Sequence, residues 1–156
     1  MYLTMSEPAD IVVYSPDKEL RLVVEVKGKQ GASPEWAAQM RRNLLTHSAV
    51  PRAPFFLLAL PDRLYLWKNG SEISDARPAD FVVDSSQIIL PYLDDPSIST
   101  SNRNWHGLEL IIASWLNLLT ISQLSEAGAA PHEKWLLESG LYDAIKNGSV
   151  ETEASS

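Results

Sequence analysis

The 156-residue chain contains no cysteine, only three histidines and no long apolar run. Without cysteine there is no disulfide framework and no thiolate metal site, so a metal ion would need oxygen ligands. The most apolar stretch, residues 108–121, contains Glu109 and Asn117 and is too short to span a membrane. Residues 1–7 lack the basic start and apolar core of a signal peptide. The sequence therefore predicts a cytoplasmic protein with no membrane segment.

Basic residues are also scarce, because 13 Lys and Arg face 20 Asp and Glu, for a net charge of −7. The charge is unevenly spread. Residues 1–77 hold ten basic and nine acidic residues, a net of +1, whereas residues 78–156 hold three and eleven, a net of −8. We therefore expect nucleic-acid contacts in the first part and a solvated or protein-binding surface in the second. The candidate phosphate contacts are Lys18, Lys29, Arg41, Arg42 and Arg52.

We interpret residues 1–156 as one α/β domain, with a sheet-bearing part over 1–92 and a helical part over 103–148. Ser33 followed by Pro34 is typical of a helix start. Apolar runs bounded by turn residues predict strands. The predicted elements are strands at 11–15, 20–27, 55–60 and 64–67, and a helix at 34–47. The first two strands form an antiparallel hairpin, and the helical crossover makes the third strand parallel to the second.

One face of the 34–47 helix is predicted to pack on the sheet. Helical spacing assigns to that face Trp36, Met40, Leu44 and His47, with Gln39 and Asn43 on the same side. Arg41 and Arg42 then point to solvent or to phosphate groups.

A second helix is predicted over residues 105–122, with large apolar side chains around most of its circumference. Such a helix must be covered on several sides. A homodimer through this helix would cover it. The alternative is that later apolar residues of the same chain wrap it, namely Trp135, Leu136, Leu141 and Ile145. The residues after Gly148 are small and polar, and we expect them to be frayed.

The predicted register of the first hairpin brings three candidate site residues together, namely Asp10, Glu25 and Lys27. If Pro16 to Glu19 form the turn, Ser15 pairs with Leu20 and all paired positions sum to 35. Asp10 then lies opposite Glu25, and Lys27 projects from the same face as Glu25 because strand side chains alternate. A register shift of one residue would instead put Asp10 on the opposite face.

Two carboxylates that face each other repel, and they destabilise a sheet unless a cation lies between them. The valines around Glu25 favour a central strand, where buried charges are costly without a ligand. A divalent cation held by Asp10 and Glu25, with Lys27 beside it, satisfies these requirements. The alternative is a salt-bridged stripe of Glu25 and Lys27 on a half-exposed sheet, with Asp10 as a turn cap.

Pro8-Ala-Asp10, fourteen intervening residues and Glu25-Val-Lys27 together resemble the active-site pattern of the PD-(D/E)XK nuclease superfamily. The resemblance covers roughly residues 7–70. It implies a restriction-endonuclease-like fold, in which helices flank a mixed central sheet. Many members carry a glutamine on the helix after the metal-binding strand, and Gln39 matches that position.

The resemblance implies a nuclease that cleaves phosphodiester bonds of DNA with Mg²⁺ or Mn²⁺. Asp10, Glu25, Lys27 and Gln39 would be its catalytic residues. Asp10, Glu25 and the Val26 carbonyl would hold the metal, because strand geometry directs that carbonyl into the site. The alternative is a non-catalytic module of the same fold that binds nucleic acid, or a protein partner through its acidic helical part.

One short segment recurs. Residues 7–15, Glu-Pro-Ala-Asp-Ile-Val-Val-Tyr-Ser, are echoed at residues 77–85, Arg-Pro-Ala-Asp-Phe-Val-Val-Asp-Ser. No Glu-x-Lys follows the second copy, and a repeated domain would need a longer match. We therefore interpret Asp80 as a turn or cap residue, and the echo as a coincidence.

Overall fold

The computed structural model describes residues 9–47, 51–68, 76–93 and 106–152. Within these ranges the chain is α/β, with one six-stranded mixed sheet and several helices, which confirms the predicted class. The strands are β1 (Ile11–Tyr14), β2 (Leu20–Val26), β3 (Phe55–Ala59), β4 (Arg63–Lys68), β5 (Phe81–Asp84) and β6 (Ser149–Thr152). The helices are α1 (Pro34–Thr46), α2 (Ser86–Leu93), α3 (His106–Ile121), α4 (Lys134–Glu138) and α5 (Leu141–Ile145), with a 3-10 turn at Pro131–Glu133.

The strand order is β5-β4-β3-β2-β1-β6, so β2 is central and has a neighbour on each side. It pairs antiparallel with β1 and parallel with β3, as predicted. The parallel pairing follows from α1, which carries the chain back across the sheet between β2 and β3. The C-terminal end of β2 therefore lies between the start of β1 and the end of β3.

The residue numbers of paired positions in β1 and β2 sum to 35, as predicted, from Ile11, which pairs with Val24, to Val13, which pairs with Leu22. The turn itself differs from the prediction. Lys18 adopts the left-handed conformation with φ 70°, and Tyr14 rather than Ser15 pairs with Leu20. The residue numbers of the Tyr14–Leu20 pair sum to 34 instead of 35. An irregularity between Val13 and Tyr14 restores the sum of 35 for the rest of the hairpin. The predicted Ser15–Leu20 pair is therefore wrong. The two register shifts cancel, so the predicted register is correct at the end of the hairpin that carries Asp10 and Glu25.

The structure contains three elements that the sequence did not predict, namely β5, α2 and β6. The end of the chain was expected to be frayed, but β6 pairs antiparallel with β1 from Ile11↔Thr152 to Tyr14↔Ser149. This pairing depends on Gly148. A β-carbon there would collide with the Tyr14 carbonyl oxygen and would approach the Ile145 oxygen to 2.9 Å. The absence of a β-carbon at Gly148 thus permits the last strand to pair with β1.

Two apolar clusters cover the two faces of the sheet. The α3-side cluster joins alternate sheet residues to the C-terminal helices, and it includes Leu22, Val24, Leu57, Leu66, Leu108, Ile112, Leu116, Leu136 and Leu141. The α1-side cluster includes Val23, Ala37, Leu45, Phe56, Leu58, Tyr65 and Trp67. Strand alternation places Val23 and Glu25 on the same face, so Glu25 lies on the α1 side.

The buried face of α1 agrees only in part with the predicted one, because Trp36, Met40 and Leu44 are half-buried against the α1-side cluster. Ser33 caps the helix as expected, because its Oγ accepts the Trp36 amide at 3.0 Å. The buried residues, however, are Ala37, Ala38, Arg41 and Leu45, whereas Gln39 and His47 are exposed. The spacing analysis favoured the largest apolar side chains, but small alanines let the helix pack closely on the sheet.

Helix α3 is covered largely within one chain. Leu108, Ile111, Ile112 and Leu116 are fully buried against the sheet and helices α4 and α5. A dimer was expected because the apolar helix needs cover on several sides. For most of the circumference of α3, the chain itself provides that cover. Three side chains remain on the solvent side, namely Leu110, Leu118 and Ile121, which are 52%, 58% and 75% exposed. Among the described residues no helix is long and apolar enough to cross a membrane.

Candidate active site

Asp10, Glu25 and Lys27 meet at the C-terminal end of β2. Glu25 Oε2 accepts the Asp10 amide at 3.2 Å, and Asp10 Oδ2 accepts the Val26 amide at 2.8 Å. Lys27 Nζ lies 3.8 Å from Glu25 Oε1. The structure thus brings together the three residues that the register arithmetic placed side by side, and the site lies at the end of the central strand.

The electrostatics of this group centre on Glu25. Its side chain is only 8% exposed, whereas that of Lys27 is 39% exposed. Burial of a carboxylate is costly unless hydrogen bonds or opposite charges compensate it. The Asp10 amide and the Lys27 amine provide part of this compensation. The Asp10 carboxylate accepts the amide of Val26, the residue next to Glu25, so Asp10, Glu25 and Lys27 together carry two negative charges and one positive charge.

The oxygen donors fit a small divalent cation. The N–H of Val26 points towards Asp10, and the N–H and C=O of one strand residue point to the same side. The Val26 carbonyl therefore faces the β1 side of the strand, near the Asp10 carboxylate. Mg²⁺ typically takes one or two protein carboxylates and keeps several waters. Within the described ranges no group of three or more His, Cys, Asp or Glu residues could hold a metal, so Asp10 and Glu25 would act as a pair.

Gln39 and Arg41 are two predicted site residues that lie on α1. Gln39 is exposed, and its part in the site stays a prediction. Arg41 itself is 1% exposed, and its guanidinium lies 5.6 Å from the Trp67 ring centroid. The expectation that Arg41 points to solvent is therefore wrong, because its side chain is buried beside Trp67 of the α1-side cluster. Its contact with a phosphate group stays a prediction.

The remaining predicted phosphate contacts are exposed but lie in different places. Lys29 follows β2, at the same end of the sheet as Glu25. Lys18 lies in the β1–β2 turn and Arg52 precedes β3, so both are at the opposite end, and β1 alone spans about 13 Å. Arg42 lies midway along α1. These residues do not form one basic surface beside the carboxylates.

The echoed segments turn out to be structurally equivalent. Asp10 precedes β1 and accepts the amide of Val26 on the neighbouring strand. In the same way, Asp80 precedes β5 and accepts the amide of Lys68 on β4, at 2.7 Å. The cap role predicted for Asp80 is confirmed, but the interpretation of the echo as a coincidence is wrong. In both copies the aspartate that precedes a strand accepts the amide of the last residue of the neighbouring antiparallel strand.

The two copies differ in what faces the aspartate. The Asp10 amide donates to the Glu25 carboxylate, whereas the Asp80 amide donates to the Leu66 carbonyl at 2.9 Å. By register, the residue across from Asp80 is Trp67, which is buried. Asp80 instead pairs with Arg77, with 3.1 Å between their charged atoms. Capping alone therefore does not require a buried carboxylate, and Glu25 is the distinctive feature of the first copy.

Long-range hydrogen bonds hold the loop that follows Lys27. The Gly31 amide, at a residue with φ 71°, donates to Asp62 Oδ2 at 3.1 Å. The Tyr65 hydroxyl donates to the Ala32 carbonyl at 3.0 Å, and burial raises the pKa of that hydroxyl. Sequence reasoning missed both partners, because each hydrogen bond joins residues more than thirty positions apart and no local pattern signals it.

Comparisons with known proteins do not identify a family. No protein-family model matches the chain, and neither the curated proteins nor the solved structures include a match. The functional argument therefore depends on the geometry of Asp10, Glu25 and Lys27.

Proposed function

We propose that this protein is a metal-dependent nuclease of the PD-(D/E)XK type, with a restriction-endonuclease-like core, that hydrolyses phosphodiester bonds of DNA in the cytoplasm. The observation that carries the proposal is the buried Glu25 carboxylate, which contacts the Asp10 amide and lies 3.8 Å from the Lys27 amine. Carboxylates that hold a divalent metal, with a cation beside them, are a set that can support metal-assisted hydrolysis of a phosphodiester.

Asp10, Glu25 and the Val26 carbonyl would hold Mg²⁺ or Mn²⁺. The bound ion would stabilise the negative charge that develops on the scissile phosphate. The Lys27 amine would hold the attacking water beside the phosphorus. The water oxygen would bond to phosphorus and give up a proton to solvent, the bond to the leaving sugar oxygen would break, and that oxygen would take up a proton from solvent.

The test is cleavage of DNA by the purified protein with Mg²⁺ or Mn²⁺, with and without a chelator. We expect cleavage that stops with chelator and falls about 100-fold or more in Lys27→Ala. Lys134→Ala, which removes an exposed cation on α4, is the matched control and should cut at nearly the parent rate. Equal cleavage by Lys27→Ala and the parent would refute the role of Lys27. Metal-independent cleavage would refute the proposed site.

A second candidate function is a binding module, and the solvent side of α3 favours it. Leu110, Leu118 and Ile121 lie on one stripe of the helix at spacings of eight and three residues. Residues 104–133 contain no lysine or arginine, so this surface suits a protein rather than nucleic acid. A second copy of the chain is the occupant we propose, because a stripe on one helix can pair with itself across a two-fold axis.

A further inference from the structure

Trp36 lies on the first turn of α1, at the end of the sheet that carries Glu25 and Lys27. Residues 27–33 connect this end of β2 to the helix. Trp36 is half-buried and packs against the α1-side cluster, and Lys29 Nζ lies 5.4 Å from its ring centroid. An aromatic ring with a solvent-exposed cation over it thus follows Glu25 by eleven residues in the sequence.

The position of this ring is fixed before any ligand binds. Asp62 holds the loop at Gly31, and the Tyr65 hydroxyl holds it at Ala32. Ser33 caps the turn that carries Trp36. Because the ring sits on a helix whose entry loop is hydrogen-bonded to the sheet, little ordering cost remains for a ligand that stacks on it.

Charge at this end of the sheet is poorly suited to duplex DNA. Among the described residues, the cations at this end of the sheet include Lys27, Lys29 and Arg63, and the carboxylates include Asp10, Glu25, Glu35, Asp62 and Asp84. Proteins that hold a duplex through its backbone commonly neutralise about 6–10 phosphates. Three such cations beside five carboxylates supply far less, so binding here must draw on contacts other than phosphate neutralisation.

We propose that Trp36 and Lys29 form a stacking site for an unpaired nucleobase of single-stranded DNA. On binding, Lys29 leaves the ring to contact a phosphate, and a base takes its place. Each stacked base strengthens binding about 5- to 150-fold, whereas an exposed cation–π contact contributes only about 2- to 5-fold. The exchange is therefore favourable. The role of this strand as a substrate rests on the proposed nuclease function, but the stacking itself does not.

The test measures the affinity of the full chain for a labelled ten-nucleotide oligothymidylate and for a duplex of the same length, in chelator so that nothing is cut. We expect the parent to bind the single strand more tightly than the duplex. Trp36→Leu should weaken single-strand binding about 5- to 150-fold, and Trp36→Phe should retain most of it. Lys134→Gln, on α4, is the matched control for loss of an exposed charge and should have a smaller effect.

Each outcome decides a different point. Equal affinity of Trp36→Leu and the parent, or equal affinity of the parent for duplex and single strand, would overturn the stacking site. If Trp36→Leu unfolds at a lower temperature than the parent, the single-strand affinities of Trp36→Phe and Lys29→Gln decide instead. Parent-like affinity in Lys29→Gln would overturn the proposed exchange of Lys29 for a nucleobase on the Trp36 ring. Single-strand binding that depends on Trp36 without metal-dependent cleavage would refute the nuclease and leave the stacking site standing.

Discussion

Asp10 and Asp80 occupy equivalent positions in one sheet, and each accepts the amide of the last or nearly last residue of its antiparallel neighbour. Asp10 faces the buried Glu25, whereas Asp80 has Trp67 at the corresponding position. Asp80 thus serves as an internal control, because it caps a strand without the second carboxylate that we propose for metal binding.

We expect Asp10→Asn and Asp80→Asn to separate these two roles. Asparagine keeps an oxygen that can accept the capped amide, so both variants should fold. Asp10→Asn removes one of two facing carboxylates, so without metal it should be at least as stable as the parent. Mg²⁺ should raise the unfolding temperature of the parent and of Asp80→Asn but not that of Asp10→Asn. Calorimetry with and without Mg²⁺ is the measurement.

If Mg²⁺ raises the unfolding temperature of Asp10→Asn as much as that of the parent, Asp10 is a structural cap. If Mg²⁺ changes the unfolding temperature of neither the parent nor the variants, the acidic pair does not hold the ion. Asp80→Asn also loses its ion pair with Arg77, which is exposed enough to contribute only about 0–1 kcal/mol.

Substitution of Gly148 should uncouple the last strand. A β-carbon at this position would collide with the Tyr14 carbonyl, which is backbone and cannot move without breaking the β1–β6 pairing. We expect Gly148→Ala to lower the free energy of unfolding by about 1–3 kcal/mol or more. Gly128→Ala is the control, because its β-carbon would meet only Ser125 Oγ, at an ordinary 3.5 Å. Urea denaturation of both variants checks the prediction, and similar stabilities would contradict it.

The exposed stripe of α3 makes self-association measurable. Light scattering over a range of concentrations should show a mass rising from 17.3 kDa towards twice that value, and Leu118→Glu should hold it at the monomer. Val82→Glu is the control, because Val82 is 49% exposed while its neighbours Phe81 and Val83 pack towards α3. Val82 therefore points to the other face of the sheet. A monomer mass at all concentrations would rule out the dimer.

Tyr65 should make the fold sensitive to alkaline pH. Burial raises the pKa of its hydroxyl above the ordinary value of 10.0, so the folded state favours the neutral phenol. The contribution is complete below pH 10 and is lost as the pH rises through the higher pKa of the folded state. Tyr65→Phe should lower stability at neutral pH by about 0.5–1.5 kcal/mol, and its stability should fall less steeply above pH 10. Parallel alkaline profiles of the two proteins would contradict this.

The sequence alone predicted the central hairpin, the helix start at Ser33 and the parallel β3, because these depend on local signals. Alternation in β2 separates an apolar face from Glu25, a proline at the first helical position sets the start of α1, and a helical crossover dictates strand direction. The adjacency of Asp10, Glu25 and Lys27 followed from the same local arithmetic, since strand pairing within one hairpin involves short sequence separations.

Tertiary structure alone decided which side of α1 is buried, which strand closes the sheet and what holds the Lys27–Ser33 loop. Arg41 is buried because Trp67, on a distant strand, provides an aromatic surface for its guanidinium. The four residues of β6 form a strand because β1 offers them an open edge. Gly31 finds its acceptor in Asp62, thirty-one residues away. Each of these contacts joins segments that no local propensity connects, so their free energy appears only when the sheet has assembled.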